Sequence, residues 1–113
     1  VKSIITQPND DTETMSPGVY MIRGDAWSGA GAIDQVEVSV DGGETWHSAH
    51  TEQPRDRFMW VRWSYRWDVR RRGMYSLMSR ATDEVGRVQS REPRHNNMRE
   101  NFSAIVGHSV TVV

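Results

Sequence analysis

Residues 33–46, Ile33-Asp34-Gln35-Val36-Glu37-Val38-Ser39-Val40-Asp41-Gly42-Gly43-Glu44-Thr45-Trp46, decide the fold. Val36, Val38 and Val40 alternate with Gln35, Glu37 and Ser39. At a strand's period of two, this gives one apolar and one polar face. The run then stops at Asp41-Gly42-Gly43, a tight turn in which Gly43 can take positive φ and the Asp41 carboxylate can accept backbone N–H groups. Ser39 to Trp46 fits the pattern S-x-D-x-G-x-T-W of an Asp-box hairpin, with Trp46 free to fold back as a lid and Thr45-Trp46 expected to start the return strand. Propellers that use this box repeat it, whereas here it occurs once, so it reads as a folding element.

Outward from this hairpin, strand signals recur between turns, and no stretch sustains the i, i+3, i+4, i+7 pattern of a helix. Val1 to Thr6 reads as a strand stopped by Gln7-Pro8-Asn9-Asp10-Asp11. After the turn Ser16-Pro17-Gly18, Val19 to Trp27 places Val19, Met21 and Arg23 on one face and Tyr20, Ile22 and Gly24 on the other. His50 to Arg57 is polar and expected as a loop, Phe58 to Trp67 is the most aromatic strand, and Val69 to Gly73 is a basic turn. Met74 to Thr82 presents Tyr75, Leu77, Ser79 and Ala81 on one face and is followed by the turn Asp83-Glu84-Val85-Gly86. Val88 to Arg99 reads as irregular, and Phe102 to Val113 as a last strand bulged at Gly107. About seven short strands predict an all-β fold, an immunoglobulin-like β-sandwich spanning 1–113 as one domain.

The chain's 113 residues suit one domain, and its five Trp can each bury roughly 150–250 Å² in a small core or an interface. With no cysteine, disulfides, thiolate metal ligands and a cysteine nucleophile are excluded. No run nears the ~18 apolar residues of a membrane helix and no signal-peptide pattern opens the chain, so a soluble domain without a membrane partner is expected. Net charge is −1 but uneven. Residues 1–44 hold Lys2 and Arg23 against eight acids, whereas residues 55–113 hold twelve Arg against six acids. Such asymmetry suggests complementary surfaces within the domain or between two copies. The Arg are spread over several strands, with one dense run, Arg70-Arg71-Arg72, at a turn, which argues against nucleic acid as the partner.

In Phe58 to Trp67, Trp63, Tyr65 and Trp67 share the face expected in the core, and Trp60, Arg62, Ser64 and Arg66 share the other. Trp and Arg are enriched at interface hot spots, so Trp60, Arg62 and Arg66 are the candidate interface for a protein partner. A sugar-binding aromatic platform is the weaker reading. His47 and His50 lack a third converging ligand and read as surface histidines, and Asp83-Glu84 alone falls short of a calcium site's 6–8 oxygens. No catalytic residue and no metal site is assigned, for neither a Ser-His-Asp arrangement nor a phosphate loop is present.

Several landmarks occur together in order: Lys2-Ser3-Ile4-Ile5-Thr6 through Pro8, Ile22-Arg23-Gly24-Asp25-Ala26-Trp27-Ser28-Gly29, Val36-Glu37-Val38-Ser39 with Asp41-Gly42-Gly43-Glu44-Thr45-Trp46, Trp63 and Trp67, and Arg80-Ala81-Thr82-Asp83 with Gln89. Over essentially its whole length the chain resembles the C-terminal dimerisation domain of sulfite oxidase-type molybdenum oxidoreductases. The resemblance implies a homodimer, a soluble and periplasmic setting, and a molybdopterin-binding catalytic domain, absent from this chain, that carries the molybdenum and its Cys ligand. No cofactor is expected in the chain itself, which on this view is a fragment or a separate subunit. The resemblance also implies an arginine sent toward the anionic substrate from a W-N-x-(x)-R segment. In His95-Asn96-Asn97-Met98-Arg99 the arginine matches Arg99 and the asparagine Asn96, with His95 in place of Trp. A guanidinium can bind an oxyanion through two parallel hydrogen bonds, which suits Arg99 to that role. An immunoglobulin-like adhesion or carbohydrate-binding module of a secreted protein is the alternative. The chain alone supplies no nucleophile or metal, so any enzyme activity belongs to the protein around it.

Overall fold

The computed structural model describes residues 1–8, 14–28, 31–52, 60–86, 88–89 and 107–113. Its elements are all strands: β1 (Lys2–Gln7), β2 (Thr14–Met15), β3 (Gly18–Trp27), β4 (Ile33–Ser39), β5 (His47–Ser48), β6 (His50–Thr51), β7 (Val61–Val69), β8 (Gly73–Asp83) and β9 (His108–Val112). They form a four-stranded sheet in the order β1-β3-β7-β6 and a five-stranded sheet in the order β2-β9-β8-β4-β5. Neighbours pair antiparallel except β2 with β9. The shortest principal extent, 21 Å, suits two layers about 10 Å apart, as the all-β reading requires.

Alternation along the strands puts one core between the sheets. Ile5, Ile22, Ala26, Trp63, Trp67 and Val69 come from the first sheet, and Val36, Val38, Leu77, Ala81, Val110 and Val112 from the second. The inward faces are those the periodicity assigns: Val36 and Val38 are fully buried, Val40 packs partly buried against them, and Trp63 and Trp67 are core while Tyr65 packs at its margin. Trp67 meets Tyr75 edge-on across the layers, with centroids 5.2 Å apart. Gly24 lies where β1 and β3 close on the Trp63 ring, and a Cβ there would fall onto the Ile4 carbonyl and the indole.

The hairpin after β4 differs from the sequence expectation at its exit. Thr45 and Trp46 remain in the turn, and the return strand is only His47–Ser48. The Asp41 carboxylate explains this, because its Oδ1 accepts the amides of Glu44 (3.1 Å) and Thr45 (2.9 Å) and so holds them in the turn. Ser39, on the polar phase of β4, is buried beneath the turn, where its hydroxyl donates to Asp41 Oδ1 and accepts from the amide of Gly43. Both Gly42 and Gly43 take positive φ, 74° and 95°.

The expected loop at His50 begins instead with strand β6, which adds to the edge of β7 after Ala49 has bonded back to the Val36 carbonyl. Residues 53–57 of that loop lie outside the described residues. Val69, expected in the basic turn, is a buried end residue of β7, and β2 was not expected at all.

Candidate interaction surface

The outward face of the four-stranded sheet is assembled by one register. Opposite one another on β3 and β7 stand Val19 and Asp68, Met21 and Arg66, Arg23 and Ser64, and Asp25 and Arg62. Trp60, just before β7, stacks on Trp27 at the end of β3, with ring centroids 4.2 Å apart and planes 10° from parallel. The pair extends the same array by one position. Val19, Met21 and Trp60 are 52%, 41% and 56% exposed, so apolar surface flanks the charged centre. Beside it, Thr6, Arg23, Asp25, Glu52, Arg62 and Ser64 line a basin of about 580 Å³.

Arg23 sits diagonally between Arg62 and Arg66, at the roughly 7–8 Å spacing of diagonal neighbours in a sheet. Among the described residues, Arg23, Asp25, Arg62 and Arg66 form no ion pair, although Asp25 and Arg62 are direct neighbours. Asp68 is engaged at the far end by Arg70, whose guanidinium lies 3.1 Å from Oδ2 and is held charged by that carboxylate. The structure thus brings the candidates Trp60, Arg62 and Arg66 onto one exposed face. It adds Trp27, Arg23, Asp25 and Met21, which the sequence did not single out as interface. Their phase along β3 was legible, but which β7 residue each would oppose was not.

The second exposed constellation lies on the other sheet. The Trp46 indole donates to the Gly43 carbonyl at 3.1 Å, closing the turn as a lid. The Arg80 guanidinium lies 4.1 Å from the centre of the Trp46 ring and bonds Glu37 at 3.0 Å. Such a partly exposed pair and ring contact contribute about 1 kcal/mol each at most. Hydrogen bonds from Thr45, then Ser39, hold the Asp41 carboxyl well below the usual carboxylate range. This cluster builds a turn and offers no reacting group.

Asp83, weighed above as a calcium ligand, is instead buried, accepting from the Ser28 hydroxyl at 2.7 Å and from the Val85 amide at 3.1 Å. His47 stacks on Tyr65, 5.9 Å between centroids, and His50 is an exposed edge residue. Among the described residues, no three of His, Cys, Asp and Glu come together as a metal site, and no helix is long and apolar enough to cross a membrane. Arg99 and the segment around it lie outside the described residues.

A family model, the Mo-co oxidoreductase dimerisation domain, matches residues 1–106. The chain is 38% identical over 95 residues to the mitochondrial sulfite oxidase of Rattus norvegicus, an alignment covering 79% of the chain and 17% of the relative. It is 37% identical over 83 residues to nitrate reductase (NADH) 2 of Phaseolus vulgaris, covering 61% of the chain and 9% of that protein. Among solved structures, the sulfane dehydrogenase SoxCD from Paracoccus pantotrophus superposes with a TM-score of 0.81 at 30% identity, covering 99% of this chain and 32% of the other. The chain therefore spans a small part of the length of the proteins it matches.

Proposed function

Since the chain belongs to the Mo-co oxidoreductase dimerisation domain family of sulfite oxidase-like proteins, we propose that it pairs two subunits of a molybdenum-cofactor oxidoreductase. The family match over residues 1–106 carries this reading. Physical support comes from the exposed aromatic and cationic face, because Trp and Arg are the side chains most often found at interface hot spots. In this reading Trp60, Arg62 and Arg66 contact the partner subunit. Light scattering on the full-length protein tests it: twice the chain mass is expected, and a strict monomer up to high micromolar concentration contradicts pairing.

The molybdenum cofactor belongs, on this reading, to a catalytic domain of the same protein. A thiolate ligand to the metal has no residue to supply it here, since the chain contains no cysteine. The one group this chain lends to catalysis is then Arg99, whose guanidinium would face an anionic substrate such as sulfite and hold it through charge-assisted hydrogen bonds. Steady-state kinetics of the intact enzyme test this assignment. Arg99→Ala is expected to raise KM or lower kcat for the oxyanion, and unchanged constants contradict it. A periplasmic location rests on the resemblance alone and is checked by fractionating the cells.

A further inference from the structure

The pairing proposed above leaves open which surface the two copies share, and the charge array on β3 and β7 answers that. We propose that the outward face of the four-stranded sheet is a self-complementary seam. In it, Arg62 of each copy meets the partner's Asp25 about a two-fold axis running between β3 and β7, parallel to the strands. This inference rests on the pairing reading and goes beyond it by naming the surface and its occupant, a second copy of this chain.

Symmetry does most of the selecting. A two-fold interface places the same patch on both sides, so it must complement itself. Rotation about an axis along the strands sets β3 of one copy over β7 of the other and preserves the level of every residue. Positions that oppose each other within the sheet then also oppose each other between copies. Asp25 faces the partner's Arg62, and the reciprocal pair forms on the other side of the axis. Arg23 faces the partner's Ser64, a hydroxyl that can accept from the guanidinium. Met21 faces the aliphatic stem of the partner's Arg66, and the stacked Trp27 and Trp60 meet the same two rings of the second copy.

The other in-plane axis, across the strands, leaves Arg62 without the partner's Asp25. It lays β7 on β7 and β3 on β3 in reverse; centred on Ile22 and Tyr65, it brings Asp25 over the partner's Val19 and Arg23 over the partner's Met21. Arg62 then reaches Asp68, a carboxylate already engaged by Arg70. Centred on Gly24 and Trp63 instead, this axis sets Asp25 over the partner's Arg23 but leaves Arg62 over Ser64, so only in the first arrangement does Arg62 itself meet the free carboxylate.

Two features of the single chain fit a face completed by another copy. Asp25 and Arg62 are direct cross-strand neighbours, a spacing of about 4.5–5.5 Å between Cβ atoms, yet form no ion pair with each other. Three of the exposed large hydrophobic residues, Val19, Met21 and Trp60, border these charges. Apolar and aromatic side chains around a few specific polar pairs make up the usual anatomy of a protein interface.

Charge reversal in the full-length protein tests the seam. Asp25→Arg alone sets arginine against the partner's Arg62, and Arg62→Asp alone sets aspartate against the partner's Asp25. Each reversal spoils two contacts, so each variant's homodimer is expected to dissociate on the order of 100-fold more readily. Mixing the two variants restores both pairs, Arg62 with Asp25 and the new arginine with the new aspartate. A differently tagged mixture should therefore yield heterodimer well above the statistical share. An effect confined to one chain cannot produce that recovery. Thermal unfolding of each variant near the wild-type midpoint shows that the fold is retained. If both variants pair as the wild type does, or stay folded and fail to pair when mixed, the seam is overturned while pairing stands. A wild-type protein that is itself monomeric overturns the pairing reading instead.

Discussion

Two residues show how little freedom the local chemistry leaves. Gly24 has no room for a side chain, since a methyl group would occupy the space held by the Ile4 carbonyl and the Trp63 indole. Neither the backbone of a paired strand nor a buried ring yields cheaply, so Gly24→Ala is expected to cost about 3 kcal/mol in urea unfolding. Asp41 acts through charge. Its carboxyl is held below the usual range by Thr45 and Ser39, so its folded pKa is lower than its unfolded one. The stability it contributes is therefore complete above about pH 4 and fades as the pH falls toward the folded value. The urea midpoints of wild type and Asp41→Asn should differ at neutral pH and converge in acid; a gap that stays constant across the titration contradicts this account. The Asp41 role was legible in the sequence, because the turn motif is local. The need for glycine at position 24 was not, because it arises from Trp63, on a strand far along the chain.

At the scale of elements, the strands and their inward faces were legible, and their partners were not. Period-two alternation identifies Val36, Val38, Leu77 and Ala81 as inward without reference to any other strand. Pairing depends on contacts remote in sequence, which is why β2 and β6, two residues each and shaped by their neighbours, could not be read. The orders β1-β3-β7-β6 and β2-β9-β8-β4-β5 make two sheets, consistent with the all-β sandwich expected from strand number and spacing.

Gln89 does similar long-range work from outside any strand. Its side-chain carbonyl accepts from the Ser3 hydroxyl at 2.6 Å and the Ala81 amide at 3.1 Å, and its amide donates to the Ser3 carbonyl at 3.3 Å. Because the Ser3 proton goes to Gln89, the Ser3–Ser79 bond must be donated by Ser79. This network fastens β1, an edge strand of one sheet, to β8 of the other, and covers part of an edge otherwise open to other chains. Gln89→Ala leaves several of these buried groups unsatisfied, and a loss of about 2–3 kcal/mol is expected in chemical unfolding. Hydrogen exchange should quicken first in β1; uniform exchange along the chain contradicts the role as a tie.

For the whole molecule, the uneven charge of the sequence resolves into a specific surface. The basic half contributes Arg62 and Arg66, the acidic half contributes Asp25 beside its lone strand arginine, Arg23, and β3 and β7 bring them together. The stacked Trp27 and Trp60 stand at the end of that array, so Trp60→Ala is expected to weaken pairing by about 2 kcal/mol or more while leaving the monomer's unfolding midpoint nearly unchanged. Comparing the dissociation constant with the melting curve checks that split. The substrate-facing role proposed for Arg99 rests on resemblance alone, since no periodicity or turn signal in the chain points to it. The central claim, that this sandwich exists to join two subunits, is tested most directly by sedimentation equilibrium of the full-length protein over a range of concentrations. A mass of two chains that falls toward one on dilution is the predicted result, and a single-chain mass up to high micromolar concentration would contradict it.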